Sequence, residues 1–109
     1  MGTSGKRPHI IVIGCGASGM MAAVQAAEHG AKVTVFEKNE KAGKKVYITG
    51  KGRCNLTNAC DTADWFGSVV RGSRFLYSAV YGFDASRVQR IFEERGCPVK
   101  TERGMRVFP

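Results

Sequence analysis

Gly14-Cys15-Gly16-Ala17-Ser18-Gly19 constrains this chain more than any other six residues, because its G-x-G-x-x-G spacing joins two stretches of different character. Before it, Ile10 to Ile13 is a short, β-branched apolar run without alternation, the pattern of a parallel strand covered on both faces. From Ala17 to His29 the chain is dominated by Ala and Met, with Val24 its one β-branched residue and Gly30 as a stop, which predicts a helix. Lys32 to Glu37 then alternates, Val33 and Val35 on one side and Thr34 and Phe36 on the other, as a second strand does. Strand, glycine turn, helix, glycine and strand within about 30 residues form a βαβ unit, whose crossover is right-handed and whose strands are parallel. The fold class is therefore α/β, built on a Rossmann-like unit.

Each glycine has a physical task in that unit. Gly14 allows the tight turn, Gly16 lets the backbone approach a pyrophosphate, and Gly19 lets the helix pack closely on the strand. Ala17 and Ser18 contribute first-turn N–H groups, and the helix terminus adds about half a positive charge, so an anion is favoured there. Glu37 ends the second strand 18 residues after Gly19, where a carboxylate accepts hydrogen bonds from ribose hydroxyls. A carboxylate at that point repels a 2′-phosphate, which argues against NADP in this site. An incidental strand-to-helix turn with a surface acid would not require this order and spacing. Cys15 is read as filling a small space.

At 109 residues the chain has room for one domain. Seventeen basic and nine acidic side chains give a formal +8 and a pI near 9.7, which points to anionic partners such as phosphates, nucleotides or nucleic acid. Residues 1–60 carry +6 of that charge and residues 61–109 carry +2. Trp65, Phe66, Phe75, Tyr77, Tyr81 and Phe83 all follow the basic half, so its charge has no stacking platform beside it. A solubilising surface is accordingly preferred to a nucleic-acid groove.

The Ile10–Ile13 run is far shorter than the roughly 18 residues of a membrane span, which predicts no membrane partner. Lys6 and Arg7 imitate a signal peptide, but Gly14, Gly16 and Gly19 interrupt its apolar part, so a cytoplasmic location is expected and Asn55-Leu56-Thr57 is read as an accidental glycosylation sequon. Cys15, Cys54, Cys60 and Cys97 lack paired metal-site spacing and are expected as reduced thiols. His9 and His29 fall at element boundaries, and no metal centre is expected.

Residues 1–8 are expected to be a disordered lead-in and 9–109 the N-terminal part of a dinucleotide-binding domain. Val46 to Thr49 reads as a short strand or extended approach, because Gly50-Lys51-Gly52 argues against a helix. Residues 61–83 read as two helical pieces separated near Gly72, with Phe75, Leu76, Ala79, Val80 and Phe83 on one apolar stripe. Asp84 or Ser86 caps a further helix through Val88, Ile91 and Phe92 that ends at Gly96, and Cys97 to Pro109 reads as a hairpin around Arg103-Gly104. A parallel sheet of two or three strands falls short of a finished doubly wound domain, so the chain is expected to be the opening piece of a longer protein.

A second motif runs from Gly43-Lys44-Lys45 to Asn58 and places three glycines and four cations in 16 residues. Such a donor-rich loop suits phosphate and the polar edge of a ring system, and it suits a solvated basic loop equally well. Together, Gly14–Gly19, Glu37-Lys38 and Thr49-Gly50-Lys51-Gly52-Arg53-Cys54-Asn55-Leu56-Thr57-Asn58 resemble the N-terminus of bacterial FAD-dependent oxidoreductases of the aminoacetone oxidase and bile-acid-pathway reductase type. The Gly104–Pro109 end resembles a segment of the same family.

The resemblance implies a flavoprotein with two dinucleotide-binding domains, of which this is the N-terminal part. It implies FAD with its adenosine at Glu37, its diphosphate over Gly14, Gly16, Ala17, Ser18 and Gly19, and its flavin side near Arg53, Cys54 and Asn55, with Lys38 and Lys45 also among the binding residues. Hydride transfer through that FAD to or from a small-molecule substrate, with NAD(P)H as a candidate electron donor, is the implied activity. Two alternatives are a nucleotide- or nucleic-acid-binding module without redox activity, and a disulfide-reductase-like flavoenzyme using Cys54 and Cys60. Those reductases separate their cysteines by four residues and this chain by five, which favours simple thiols.

Overall fold

The computed structural model describes residues 6–109. They form two compact units, one ending at Thr49 and the other Gly50–Pro109. In the first, strand β1 (His9–Ile13), helix α1 (Ala17–Glu28) and strand β2 (Lys32–Phe36) follow in order. The strands pair in parallel, His9 opposite Lys32 through Ile13 opposite Phe36, so the expected α/β architecture with a βαβ unit is present. Gly30, at φ +94°, turns the chain out of α1, and Ala31 behind it is buried. Part of the segment expected as a disordered lead-in is tied down. Arg7 donates to the carbonyls of Gly30 and Ala31 at 3.2 and 3.3 Å, and the Pro8 carbonyl accepts from Lys32 N at 2.8 Å. Residues 1–5 of that expectation lie outside the described residues.

Helix α2 (Lys44–Gly52) corrects the extended reading of Val46–Thr49. The expectation gave Gly50-Lys51-Gly52 the power to exclude a helix, whereas the triplet acts only at its end. Gly50, Lys51 and Gly52 all have positive φ, of +59°, +56° and +88°, so the right-handed path stops where the glycines begin. Lys51 carries a Cβ in that conformation, which costs about 1–2 kcal/mol.

The second unit contains strand β3 (Thr57–Asn58), helix α3 (Thr62–Gly67), a 3₁₀ turn (Ser73–Leu76), helix α4 (Tyr77–Gly82), helix α5 (Ala85–Glu94), and strands β4 (Lys100–Glu102) and β5 (Arg106–Phe108). The hairpin expected around Arg103-Gly104 is β4 and β5, antiparallel, with Thr101 opposite Val107. Strand β3, which had no sequence signal, adds to the other edge of β5 to give the order β3-β5-β4. Val107 and Phe108 on the central strand are buried and form the core of this unit.

Asp84 is the cap of α5, accepting from Arg87 N at 2.9 Å, and Gly96 follows the helix at φ +84°. Gly72, at φ +78°, separates α3 from the 3₁₀ turn and α4, as expected. The apolar stripe through that region holds in part. Leu76, Val80 and Phe83 are half-buried, but Phe75 is 89% exposed. It lies in the 3₁₀ turn, whose tighter winding breaks the α-helical register assumed for the stripe. Phe66 instead collects Trp65, Tyr77 and Tyr81 around itself, with ring centroids 4.9 to 5.3 Å apart.

The first unit leaves Ile11, Ile13 and Phe36 about half exposed or more on a two-stranded parallel sheet, an arrangement that ordinarily has both faces covered. The 109-residue chain purified alone is therefore expected to self-associate or stay loosely packed. Size-exclusion chromatography with light scattering checks this, and a monodisperse, compact monomer would contradict it.

Candidate functional site

The glycine loop takes the form its spacing predicts. Gly14 turns at φ +94°, and its N–H donates to Phe36 O at 2.7 Å, so the end of β1 is fixed to the end of β2. A Cβ on Gly19 would collide with the carbonyl oxygen of Gly14, which shows how closely α1 lies over the strand end. Around Gly16 a Cβ would meet nothing within 4 Å. The backbone is thus packed at Gly19 and open at Gly16.

Gly16 is the N-cap of α1 and brings no side-chain cap, and no acidic residue stands in the first turn. The N–H groups of Ala17, Ser18 and Gly19 belong to that turn and have no carbonyl one turn earlier to bond. Met20 N is the first to bond back into the helix, to Gly16 O at 2.9 Å.

Glu37 lies one residue beyond β2, and both its oxygens are oriented by backbone. Cys15 N donates to Oε1 at 2.8 Å and Asn39 N to Oε2 at 2.9 Å. The Asn39 N–H first, then the Cys15 N–H, holds the carboxyl below its ordinary value of 4.5. Each oxygen keeps a second acceptor direction, which suits a pair of hydroxyls.

Glu37, Gly14, Gly16, Lys38, Lys44 and Lys45 line one hollow of about 280 Å³ at the strand ends. Lys38 and Lys45 thus line the same hollow as the glycine loop and Glu37. Lys44 lines the same hollow and was missed. Its signal was Gly43, whose N–H donates to Cys15 O at 2.7 Å and whose φ of +66° starts α2 beside the loop. The three ammonium groups leave the hollow electropositive around a single fixed carboxylate.

Arg53, Cys54 and Asn55 belong to the second unit. Arg53 Nη1 donates to both oxygens of Glu102 at 3.1 and 3.2 Å, and Cζ lies 4.1 Å from the Phe108 ring centroid. Cys54 is half-buried at φ +65°, and Asn55 is exposed. Cys54 and Cys60 both stand as free thiols. Cys60 lines a separate hollow of about 110 Å³ with Trp65, Phe83 and Val88, too small for a flavin. Asn58 links β3 to the hairpin, donating to Gly104 O at 3.1 Å and accepting from Cys60 N at 2.9 Å.

Residues 8–109 match the family model described as the HI0933-like protein Rossmann domain. The chain belongs to that family. HI0933-like proteins are FAD-binding oxidoreductases. Across 101 residues, 90% of the chain, it is 37% identical to a 3-dehydro-bile acid delta(4,6)-reductase of Clostridium scindens. Across 48 residues, 44% of the chain, it is 48% identical to a ribosomal RNA dihydrouridine synthase of Haemophilus influenzae. Across 92 residues, 83% of the chain, it is 34% identical to a digeranylgeranylglycerophospholipid reductase of Methanothrix thermoacetophila. These stretches cover 24%, 12% and 22% of the three relatives, so the chain spans about a quarter or less of their length.

Glu37 makes stability in this HI0933-like unit depend on pH. A carboxyl whose folded-state value is lowered contributes stability above its unfolded value, and that contribution disappears as pH falls through the folded one. Denaturation midpoints of the parent are expected to fall faster than those of Glu37→Gln below pH 4.5. Parallel midpoints for the two proteins over that window would remove the Glu37 bridge from the account.

Proposed function

We propose that this chain supplies the adenosine and diphosphate end of an FAD site in an oxidoreductase. The observation that carries the reading is the uncapped first turn of α1, open at Gly16 and set beside a carboxylate that backbone N–H groups have already oriented. First-turn N–H groups and Lys44 and Lys45 meet the diphosphate, Glu37 accepts from the ribose hydroxyls, and Lys38 lies alongside. Gly14 and Gly19 hold the turn but touch nothing themselves. Arg53, Cys54 and Asn55 belong to the flavin end of the same proposal. When bound, FAD supplies the hydride chemistry, while these residues bind and orient it. A small-molecule substrate, NAD(P)H as electron donor and a cytoplasmic setting complete the reading.

Substitution at Gly16 tests the central contact. Gly16→Val is expected to abolish FAD retention, because a branched side chain fills the space left open for the pyrophosphate. A purified variant with full flavin absorbance would refute it. Glu37→Ala is expected to raise the FAD dissociation constant about tenfold, the scale of a lost charge-assisted hydrogen bond. An unchanged titration would take Glu37 out of the cofactor site.

A second reading replaces the small molecule with RNA. The similarity to ribosomal RNA dihydrouridine synthases of Haemophilus influenzae and Escherichia coli, at 48% and 42% over about half the chain, favours it. Phe75 and Tyr77 are exposed, as are Arg71 and Arg74 in the same stretch of chain, side chains suited to stacking on bases and pairing with phosphates. Reductase assays on unmodified ribosomal RNA and on unsaturated small molecules, run with the same flavin-loaded protein, separate the two readings.

A further inference from the structure

The loop assigned to the flavin end is held in an unusual backbone path. Gly50, Lys51, Gly52 and Cys54 have positive φ, of +59°, +56°, +88° and +65°, and two of the four carry a Cβ. Within the turn, Arg53 N donates to Gly50 O at 3.2 Å. Arg53 reaches from the turn to the hairpin with its side chain.

Nη1 of Arg53 donates to Oε1 and Oε2 of Glu102 at 3.1 and 3.2 Å, while the guanidinium carbon lies 4.1 Å from the Phe108 centroid. Phe108 is 2% exposed and cannot turn aside. It also lies against Gly50, where a Cβ would come within 2.6 Å of its Cε1 and 3.1 Å of Asn55 N. Beyond the turn, Leu56 N donates to Val107 O at 2.8 Å and Ala59 N to Met105 O at 2.7 Å, so the segment is laid along β5. Lys100 Nζ, 3.4 Å from Oε2, shares the Glu102 carboxylate. Glu102 therefore keeps a cation when Arg53 is removed, whereas Arg53 loses this carboxylate when Glu102 is removed.

A guanidinium gripped on a carboxylate and a ring has its planar fork directed at the hairpin. We propose that Arg53 is a positioning residue, shared between Glu102 and Phe108, which locks the Gly50–Cys54 turn so that Cys54 and Asn55, rather than Arg53, meet the flavin end of the cofactor. The lock stands on the geometry above, and only its last step rests on the FAD reading.

The test compares Glu102→Gln, Arg53→Gln and Arg53→Lys with the parent by peptide-resolved amide hydrogen exchange and by FAD titration with the visible flavin spectrum. Exchange over residues 50–58 is expected to rise about three- to fivefold in Glu102→Gln and Arg53→Gln, the most an exposed ion pair supports, with α5 unchanged as reference. FAD affinity is expected to fall by a similar factor in both, with a shifted flavin band, and Arg53→Lys is expected to recover part of each effect. Glu102→Gln with parental exchange and parental affinity, beside a weakened Arg53→Gln, would overturn the proposal and make Arg53 a direct ligand. Equal acceleration over 50–58 and α5 would also overturn it, as general loosening. A parent that binds no FAD would refute the cofactor reading alone, because the exchange pattern still decides the lock.

Discussion

A side chain on Gly19 would run into the carbonyl oxygen of Gly14, and the shape of the hollow at the strand ends follows from the close approach that a bare glycine permits. With α1 this near the end of β1, its first turn opens at the strand ends. The Gly14 N–H can then bond to Phe36 O, and the Cys15 N–H reaches the Glu37 carboxylate. The Cys15 carbonyl accepts from Gly43, which starts α2 with Lys44 and Lys45 toward the same hollow. One missing methyl group thus sets a helix terminus, a carboxylate and two ammonium groups around a single space.

The second unit is organised by a different constraint. Phe108, buried at the centre of a three-stranded sheet, leaves no room for a side chain at Gly50 and lies beneath the guanidinium of Arg53. Strand β3 is only two residues long, and its position owes more to its hydrogen bonds with β5 and to Asn58 than to any propensity of its own.

The βαβ unit was legible because its glycines, its helix composition and its terminal acid each answer to local rules. Asp84 and Gly96 likewise announce α5. Helix α2 was missed because Gly50-Lys51-Gly52 was weighed as a barrier to helix over the whole segment, although left-handed glycines only end one. Phe75 was placed on the wrong face because a single period was carried through a 3₁₀ turn. The partners of Arg53 lie 49 and 55 positions along the chain, and no spacing rule reaches that far. Arg53, which the resemblance puts at the flavin side, is engaged by Glu102 and Phe108 of its own unit.

FAD bound as proposed, with its diphosphate on the first turn of α1 and its ribose at Glu37, covers the backbone N–H groups of both segments. Residue-resolved amide exchange of the protein with and without FAD reads those groups one by one. Protection is expected to rise at Gly16 to Gly19 and around Glu37 to Asn39. FAD binding that protects other segments and leaves those amides unchanged would contradict this placement.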